Sequence, residues 1–255
     1  MSTENEAVAD EIRDKDLFTQ PNESHLGECP ICFLPLPIDV GNVFMGCCSK
    51  MLCKGCCYTN QIREFEEGLE RRCAFCREPM PKSEEEHDKR AMKRIKKNCP
   101  AALREMGNEC YHEGDYKSAL EYLTKAAELG NAEAHYNLSC LYHDGEGVKK
   151  DMKKEAYHLE EAAIGGHPRA RYNLGCIEWN NGRFERAKKH YIIAANLGNE
   201  DSLKMVKHLH TMGHASKEDY ADALRAYQAA VEATKSTQRE EAEAYYKARI
   251  DSGCA

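Results

Sequence analysis

The sequence has one tryptophan among 255 residues and no run of apolar residues approaching the roughly 20 that a membrane-spanning helix needs. Its first residues, Met1 to Glu6, are polar and acidic, whereas a secretory signal peptide would be basic and then apolar. Basic residues are in the minority, with 36 Lys and Arg against 43 Asp and Glu and a formal net charge of -7. We therefore expect a location in the cytosol or nucleus, with no membrane partner and no nucleic-acid partner.

Histidine is absent between His25 and His87, although this stretch holds nine of the fourteen cysteines. In a reducing compartment, cysteines are more often thiols or metal ligands than disulfides. Three Cys-x2-Cys pairs occur here, with Cys47 and Cys48 adjacent between the first two and Cys57 left over. A two-residue gap lets both sulfurs of a pair face one tetrahedral ion, and thiolate sets select zinc. The pattern predicts two Zn²⁺ ions with eight ligands, Cys29, Cys32, Cys47, Cys48, Cys53, Cys56, Cys73 and Cys76.

This order and spacing resemble a RING finger, in which ligand pairs alternate between two zinc sites. The resemblance implies one site formed by Cys29, Cys32, Cys53 and Cys56 and a second formed by Cys47, Cys48, Cys73 and Cys76. One departure is that Lys50 stands where a RING usually has histidine. All-cysteine RINGs place that ligand five residues before the fifth, which is Cys48 here. Cys47 and Cys48 must then bind the same ion without a spacer residue between them.

A module of about fifty residues buries too little surface to offset chain entropy, so the two zinc ions would supply folding free energy. After Cys57, the residues Ile62, Phe65 and Leu69 recur at helical spacing. They predict a helix whose apolar face packs against the metal loops. The expected fold of residues 27–81 is therefore a small zinc-bound α+β RING finger.

A RING finger has closed zinc sites and no nucleophile, and in the family it binds a ubiquitin-conjugating enzyme charged with ubiquitin. It favours transfer to a substrate lysine through proximity and restricted conformation. The resemblance assigns the conjugating-enzyme contact to Ile31, Pro79 and Tyr58 or Ile62. It assigns the bridging cation to Arg77, whose planar guanidinium donates several hydrogen bonds. These assignments imply a ubiquitin ligase, and the alternative is a non-enzymatic adaptor in which the zinc module is a folding unit or a partner-binding knob.

From residue 101 the sequence repeats itself in units of two helices. The first helices are marked by Ala102, Ala134, Ala170 and Ser202, and the second by Ala126, Ala162, Ala194 and Ala230. Glycines suited to the left-handed conformation close the second helices at Gly130, Gly166 and Gly198. A single helix pair cannot bury its apolar face, so the units are predicted to stack into an all-α solenoid of helical hairpins.

The openings AHYNLS at Ala134 and ARYNLG at Ala170, with the connection DGEGVKKD and the AA-x-x-G closures, resemble SEL-1-like repeats. The first unit, MGNECYHEGDYKSALEYLTKAAEL, more closely resembles a tetratricopeptide repeat. Together the two resemblances cover residues 101–235. They imply a scaffold that binds an unknown protein substrate or partner on its concave face.

Three asparagines on the first helices, Asn108, Asn137 and Asn173, are candidate partner-binding residues. Asn108 and Arg104 resemble positions of tetratricopeptide clamps that grip a C-terminal carboxylate. The recurrence of Asn137 and Asn173 is explained as well by hydrogen bonds between neighbouring helices. Both interpretations remain open at this point.

The remaining segments have charged compositions. We expect an acidic disordered tail over 1–26, a charged helical linker over 82–100, and a C-terminal capping helix and tail over 236–255. The linker begins with a capping box at Ser83, and Glu86 and Arg90 are spaced for an ion pair. Its basic run from Lys89 to Lys97 has two interpretations, a solvated helix face or a patch for nuclear localisation or nucleic-acid binding. The net negative charge of the chain favours the solvated helix face.

Overall fold

The computed structural model describes residues 13–38 and 41–251. The first twelve residues of the expected tail and residues 252–255 lie outside the described residues. In the described part, β1 (Asn42–Met45) and β2 (Lys50–Cys53) form an antiparallel sheet with Val43 opposite Leu52, and a first helix, α1, includes residues 13–17. The other helices are α2 (Lys54–Glu66), α3 (Glu84–Ile95), α4 (Pro100–His112), α5 (Tyr116–Glu128), α6 (Ala132–Asp144), α7 (Met152–Ile164), α8 (Pro168–Asn180), α9 (Phe184–Asn196), α10 (Glu200–Thr211), α11 (Lys217–Ala233) and α12 (Thr237–Asp251). No helix in these ranges is both long and apolar enough to cross a bilayer.

Helices α4 to α11 form four successive pairs, which confirms the predicted all-helical solenoid. The two helices of each pair follow one another in the chain and pack together. The second helix of a pair also packs against the first helix of the next pair. Gly130 and Gly198 close their helices with φ of 81° and 92°, a left-handed conformation that glycine adopts without a side-chain clash. A Cβ on Gly175 would lie 2.5 Å from the Tyr191 ring, so this glycine lets α8 and α9 approach closely.

The cysteine-rich module has a small core around the β1–β2 sheet and the start of α2. Leu36, Met45 and Leu52 are buried there together with several cysteines. The prediction that Phe65 and Leu69 pack into this core is wrong, because they are 86% and 48% exposed. The inward positions of α2 are instead taken by Gly55, Cys56, Cys57 and Glu64.

The last helix folds back onto the first module. α12 lies along α2, so the segment that the sequence predicts to cap the repeats packs on the cysteine module. A Cβ on Gly55 would lie 2.9 Å from the backbone nitrogen of Arg239, and the absence of that Cβ allows the two helices to touch.

The N-terminal segment differs from the disordered tail that composition predicts. Residues 13–26 lie against the repeats, where Leu17 is only 3% exposed and the His25 N–H donates to the Gly166 carbonyl at 3.1 Å. The physical reason is that one buried leucine and several backbone carbonyls suffice to dock a segment that is otherwise polar.

The linker helix α3 begins as predicted. Ser83 Oγ accepts from the Glu86 N–H at 3.2 Å, and Glu86 pairs with Arg90 one turn later. The Glu86 carboxylate accepts from the Lys82 N–H at 3.1 Å, so the reciprocal bond is made one residue before the cap.

Candidate metal centre

The structure brings the eight candidate cysteines into two groups of four, and the sulfurs within each group lie within 4.8 Å of one another. The first group is Cys29, Cys32, Cys53 and Cys56, and the second group is Cys47, Cys48, Cys73 and Cys76. These are the two sets that the RING resemblance implies, and they alternate along the chain. Cys57 is buried but belongs to neither group, and burial raises the pKa of its thiol to about 12.

Two backbone turns of the same form present the outer cysteine pairs. In the loop 28–35 the Phe33 N–H donates to the carbonyl of the first cysteine at 2.8 Å, and in the loop 72–79 the Arg77 N–H does so at 3.0 Å. Phe33 and Arg77 both have positive φ, 57° and 63°. This conformation is unusual for residues with a side chain, and it turns both sulfurs of each pair toward one point.

The sulfur separations fit tetrahedral ions. A Zn–S distance of about 2.3 Å places the sulfurs of a tetrahedral site about 3.8 Å apart. In the first group, Cys32 Sγ and Cys53 Sγ are 3.8 Å apart, and in the second group Cys48 Sγ and Cys73 Sγ are 3.9 Å apart. Both groups can therefore hold a metal ion, and four thiolates with this spacing suit Zn²⁺.

Cys47 lies close to another donor of the second group. Its Sγ lies 3.4 Å from Cys76 Sγ, closer than the edge of a regular tetrahedral zinc site. The adjacent Cys48 occupies the same group, so two successive residues turn their sulfurs to one point. The structure shows how this is possible: residues 46–49 form a turn between β1 and β2, and Ser49 takes a positive φ of 55°.

An arginine from the far end of the chain lies against the first group. Arg239 on α12 places Nη2 3.4 Å from Cys32 Sγ and 3.2 Å from the Leu34 carbonyl, while Nη1 donates to the Pro35 carbonyl at 2.7 Å. A zinc ion with four thiolates carries a formal charge of −2, so a cation here would stabilise the loaded site. Sequence reasoning missed Arg239, because nothing in a lone arginine 207 residues after Cys32 signals this contact.

The second group faces the basic side of α3. Arg94 donates through Nε to the Cys47 carbonyl at 3.1 Å, and Arg90 donates to the Pro79 carbonyl at 2.6 Å. Lys93 and Lys97 join these arginines around a cavity of about 220 Å³. The basic run of the linker thus lies beside the second group, where its charge would offset that of a zinc tetrathiolate.

The positions that the RING resemblance assigns to a conjugating enzyme are distributed over the module. Ile31 is half-buried against the module core, and Ile62 is half-buried on α2. Pro79 forms a β-bridge with Arg72. The Arg77 guanidinium donates to Asn60 Oδ1 at 2.7 Å, so it is held against α2.

The outer face of α2 is occupied by α12. The Tyr58 ring lies 4.9 Å from the Tyr245 ring, and the Tyr246 hydroxyl donates to Gln61 Oε1 at 3.5 Å. Lys54 Nζ is 5.7 Å from the centre of the Tyr246 ring. Tyr58, one of the two candidate groove residues, therefore contacts the protein's own last helix.

Two of the three candidate asparagines of the repeats bond to each other, and the third lines a cavity. Asn137 Nδ2 donates to Asn108 Oδ1 at 2.7 Å and so joins α6 to α4, which matches the interhelical interpretation. Asn173 lines a cavity of about 310 Å³ between α6 and α8. Arg104, the other residue of the clamp hypothesis, pairs with Glu105 and lies 5.8 Å from the Phe44 ring of the cysteine module.

A third cluster joins His25, Glu133 and His167, whose side-chain donors also lie within 4.8 Å of one another. His167 Nδ1 accepts from the Ala170 N–H at 3.1 Å, so its proton is on Nε2 and points to Glu133 Oε2 at 3.2 Å. That nitrogen has no free lone pair for a metal, and we assign the cluster as a hydrogen-bond network. Burial lowers the pKa of His167 to about 4, so the ring is neutral at pH 7.

Comparison with known proteins identifies the helical region. Residues 100–131 and 132–167 match the Sel1 repeat, and residues 168–197 match the tetratricopeptide repeat. A curated relative, "Putative beta-lactamase HcpC" of Helicobacter pylori strain J99, is 38% identical over 55 residues, which are 22% of this chain and 19% of that protein. The match thus spans about a fifth of that relative's length.

Two solved structures are similar. The Sel1 repeat protein from Oxalobacter formigenes is 30% identical with a TM-score of 0.42, over 46% of this chain and 95% of that one. A protective antigen of uropathogenic Escherichia coli with an SLR fold is 20% identical with a TM-score of 0.47, over 74% of this chain and 39% of that one. From the family matches, residues 100–197 consist of Sel1 and tetratricopeptide-type repeats, which form scaffolds for protein–protein interaction.

Proposed function

We propose that the protein is a zinc-stabilised adaptor, in which the repeats bind a protein partner and the cysteine module is a folding unit. Zn²⁺ bound by the two cysteine groups would supply the folding free energy that a small core lacks. The repeats support this proposal, since stacked helical pairs present extended surfaces to partners.

The observation that carries the proposal is the seating of α12 on α2. The RING resemblance implies that a conjugating enzyme would contact α2 near Tyr58 or Ile62, one helical turn apart. Tyr58 and Gln61 are instead engaged by Tyr245 and Tyr246. A cysteine module whose α2 surface is covered by a helix of the same chain fits a structural role.

A second candidate is a RING-type ubiquitin ligase that recruits a charged conjugating enzyme through the module and a substrate through the repeats. The alternation of the two cysteine groups favours it, with Ile31, Pro79 and Arg77 at the positions where the family contacts the conjugating enzyme. This function would require α12 to leave α2 and Arg77 to leave Asn60.

A ubiquitination assay on two forms of the full chain separates the candidates. The wild type and a Tyr245→Ala/Tyr246→Ala variant, which loosens α12 without changing a contact to the cysteine groups, are each incubated with activating enzyme, a panel of conjugating enzymes, ubiquitin and ATP. The adaptor predicts no zinc-dependent conjugates from either form. Conjugates that Ile31→Ala abolishes would overturn the adaptor and establish the ligase.

An Arg225→Gln variant is a surface control for the loosened form. Arg225 lies on α11, where its exposed side chain pairs with Asp222. If the loosened form is active and the control is silent, α12 restrains a ligase. If both are silent with every conjugating enzyme, the adaptor stands.

A further inference from the structure

The N-terminal segment lies in a groove formed by α7, α8 and α9. Leu17 inserts into an apolar cluster that includes Leu159, Ala163 and Leu174. Arg13 at the start of the segment pairs with Glu160 on α7. One short stretch of the chain is therefore bound across three helices of the repeats.

Arg171 at the base of this groove depends on the segment for its hydrogen bonds. Its side chain is fully buried, and the guanidinium donates to the carbonyl of Leu17 and, at 3.2 Å, to that of Thr19. Its Nε has no partner among the described residues. A buried cation without partners is strongly unfavourable, so the groove requires an occupant that offers backbone carbonyls or a carboxylate.

Two side chains of the segment are recognised by cations. Phe18 lies 4.8 Å from the Arg186 guanidinium, 5.1 Å from Lys189 Nζ and 4.8 Å from the His190 ring. Asp14 accepts from Arg186 Nη2 at 3.0 Å. The groove thus binds an acidic residue that lies three positions before an adjacent aliphatic and aromatic pair.

We propose that this groove is a peptide-binding site of the repeats and that residues 14–19 occupy it as an intramolecular substitute for a partner. The partner is a protein whose exposed segment has an acidic residue, two further residues, and then an aliphatic–aromatic pair. This inference rests on the adaptor function and names the chemistry of its ligand. Exchange is feasible because the Arg186–Asp14 ion pair is partly exposed, with 33% and 48% of the side chains accessible.

A direct test uses a fluorescein-labelled peptide with the sequence of residues 13–22, RDKDLFTQPN, and the full chain. A Leu17→Ser/Phe18→Ser variant weakens the internal occupant and should bind the peptide in an anisotropy titration. The wild type should bind about tenfold or more weakly, because its own tethered segment competes at high effective concentration. A peptide with serine in place of both leucine and phenylalanine should not bind.

Substitutions in the groove test the recognition itself. In the opened variant, Arg186→Ala should weaken peptide binding about fivefold through the lost ion pair and cation–π contact. The control Lys204→Ala on α10, whose ammonium pairs with the exposed carboxylates of Glu200 and Asp201, should leave binding unchanged. Equal binding by wild type and opened variant, or no binding by an opened variant with native circular dichroism, overturns the proposal.

Hydrogen exchange on the wild type covers the case in which the opened variant does not fold. A saturating concentration of the unlabelled peptide should raise exchange in residues 13–20 of the chain, and unchanged protection would refute the site. The outcome is independent of the ubiquitination assay. If the peptide binds and the ubiquitination assay is positive, the peptide-binding site stands and the adaptor function is rejected. If the peptide does not bind and the ubiquitination assay is silent, only the peptide-binding site is rejected.

Discussion

Replacing Arg239 with glutamine should weaken zinc binding at the first cysteine group and leave the second group unchanged. The substitution removes the cation 3.4 Å from Cys32 Sγ and the bonds to the Leu34 and Pro35 carbonyls that hold the loop 28–35. Loss of an outer partner of a metal site commonly reduces metal affinity about 10- to 100-fold. This corresponds to about 1.4 to 2.8 kcal/mol at one of the two sites.

Competition with a chromogenic chelator measures this effect. The wild type and Arg239→Gln are loaded with zinc, and the release of each ion is followed as the chelator concentration rises. We expect one of the two ions in the variant to be lost at a lower chelator concentration, while the other keeps the wild-type midpoint. Arg225→Gln, which removes an exposed arginine of α11, is the matched control and should behave as the wild type.

Two results would refute this reasoning. An unchanged release curve would show that Arg239 does not stabilise the loaded first group. An equal loss at both groups would show a general destabilisation of the module. Hydrogen exchange in α12 gives an independent measure, because residues 237–251 should lose protection in Arg239→Gln and not in the control.

Three further predictions concern the repeats. Gly175→Ala places a Cβ 2.5 Å from the Tyr191 ring, so the free energy of unfolding in urea should fall by about 1 to 3 kcal/mol, and an unchanged value would contradict the close contact. Burial lowers the pKa of His190 to about 3, so the unfolded chain takes up this proton near pH 6.5 and the folded chain does not. Stability should therefore fall as the pH drops from about 6.5 toward 4, by up to about 1.4 kcal/mol per pH unit from this group, and His190→Phe should reduce that slope. Asn137→Ala should lower stability by about 1 kcal/mol, and a double-mutant cycle with Asn108→Ala should show coupling between the two side chains, whereas additive effects would argue against the interhelical hydrogen bond.

The features that could be predicted from sequence are those with a repeating local signature. The small residues in register from Ala102 to Ala230 follow from the need of helices to approach closely, and they predict the paired helices. The Cys-x2-Cys spacing constrains two sulfurs to one point, and the RING resemblance implies how the eight cysteines from Cys29 to Cys76 divide into two groups. In both cases the same physical requirement recurs at several positions.

The contacts between distant parts of the chain have no such signature. The docking of α12 depends on Gly55 and Arg239, which are far apart in sequence and belong to no periodic pattern. The N-terminal segment looks disordered by composition, yet Leu17 and two carbonyls dock it on Arg171. Phe65 follows helical spacing toward the core but is exposed, because the inner face of α2 is filled by Cys57 and Glu64.

Zinc stoichiometry tests the central claim of two four-cysteine zinc sites most directly. Native mass spectrometry of the full chain should show two zinc ions in the wild type and in Cys57→Ser, since Cys57 belongs to neither group. Cys47→Ser should retain one ion, because Cys47 is a donor of the second group only. Fewer than two ions in the wild type, or loss of an ion in Cys57→Ser, would contradict the account.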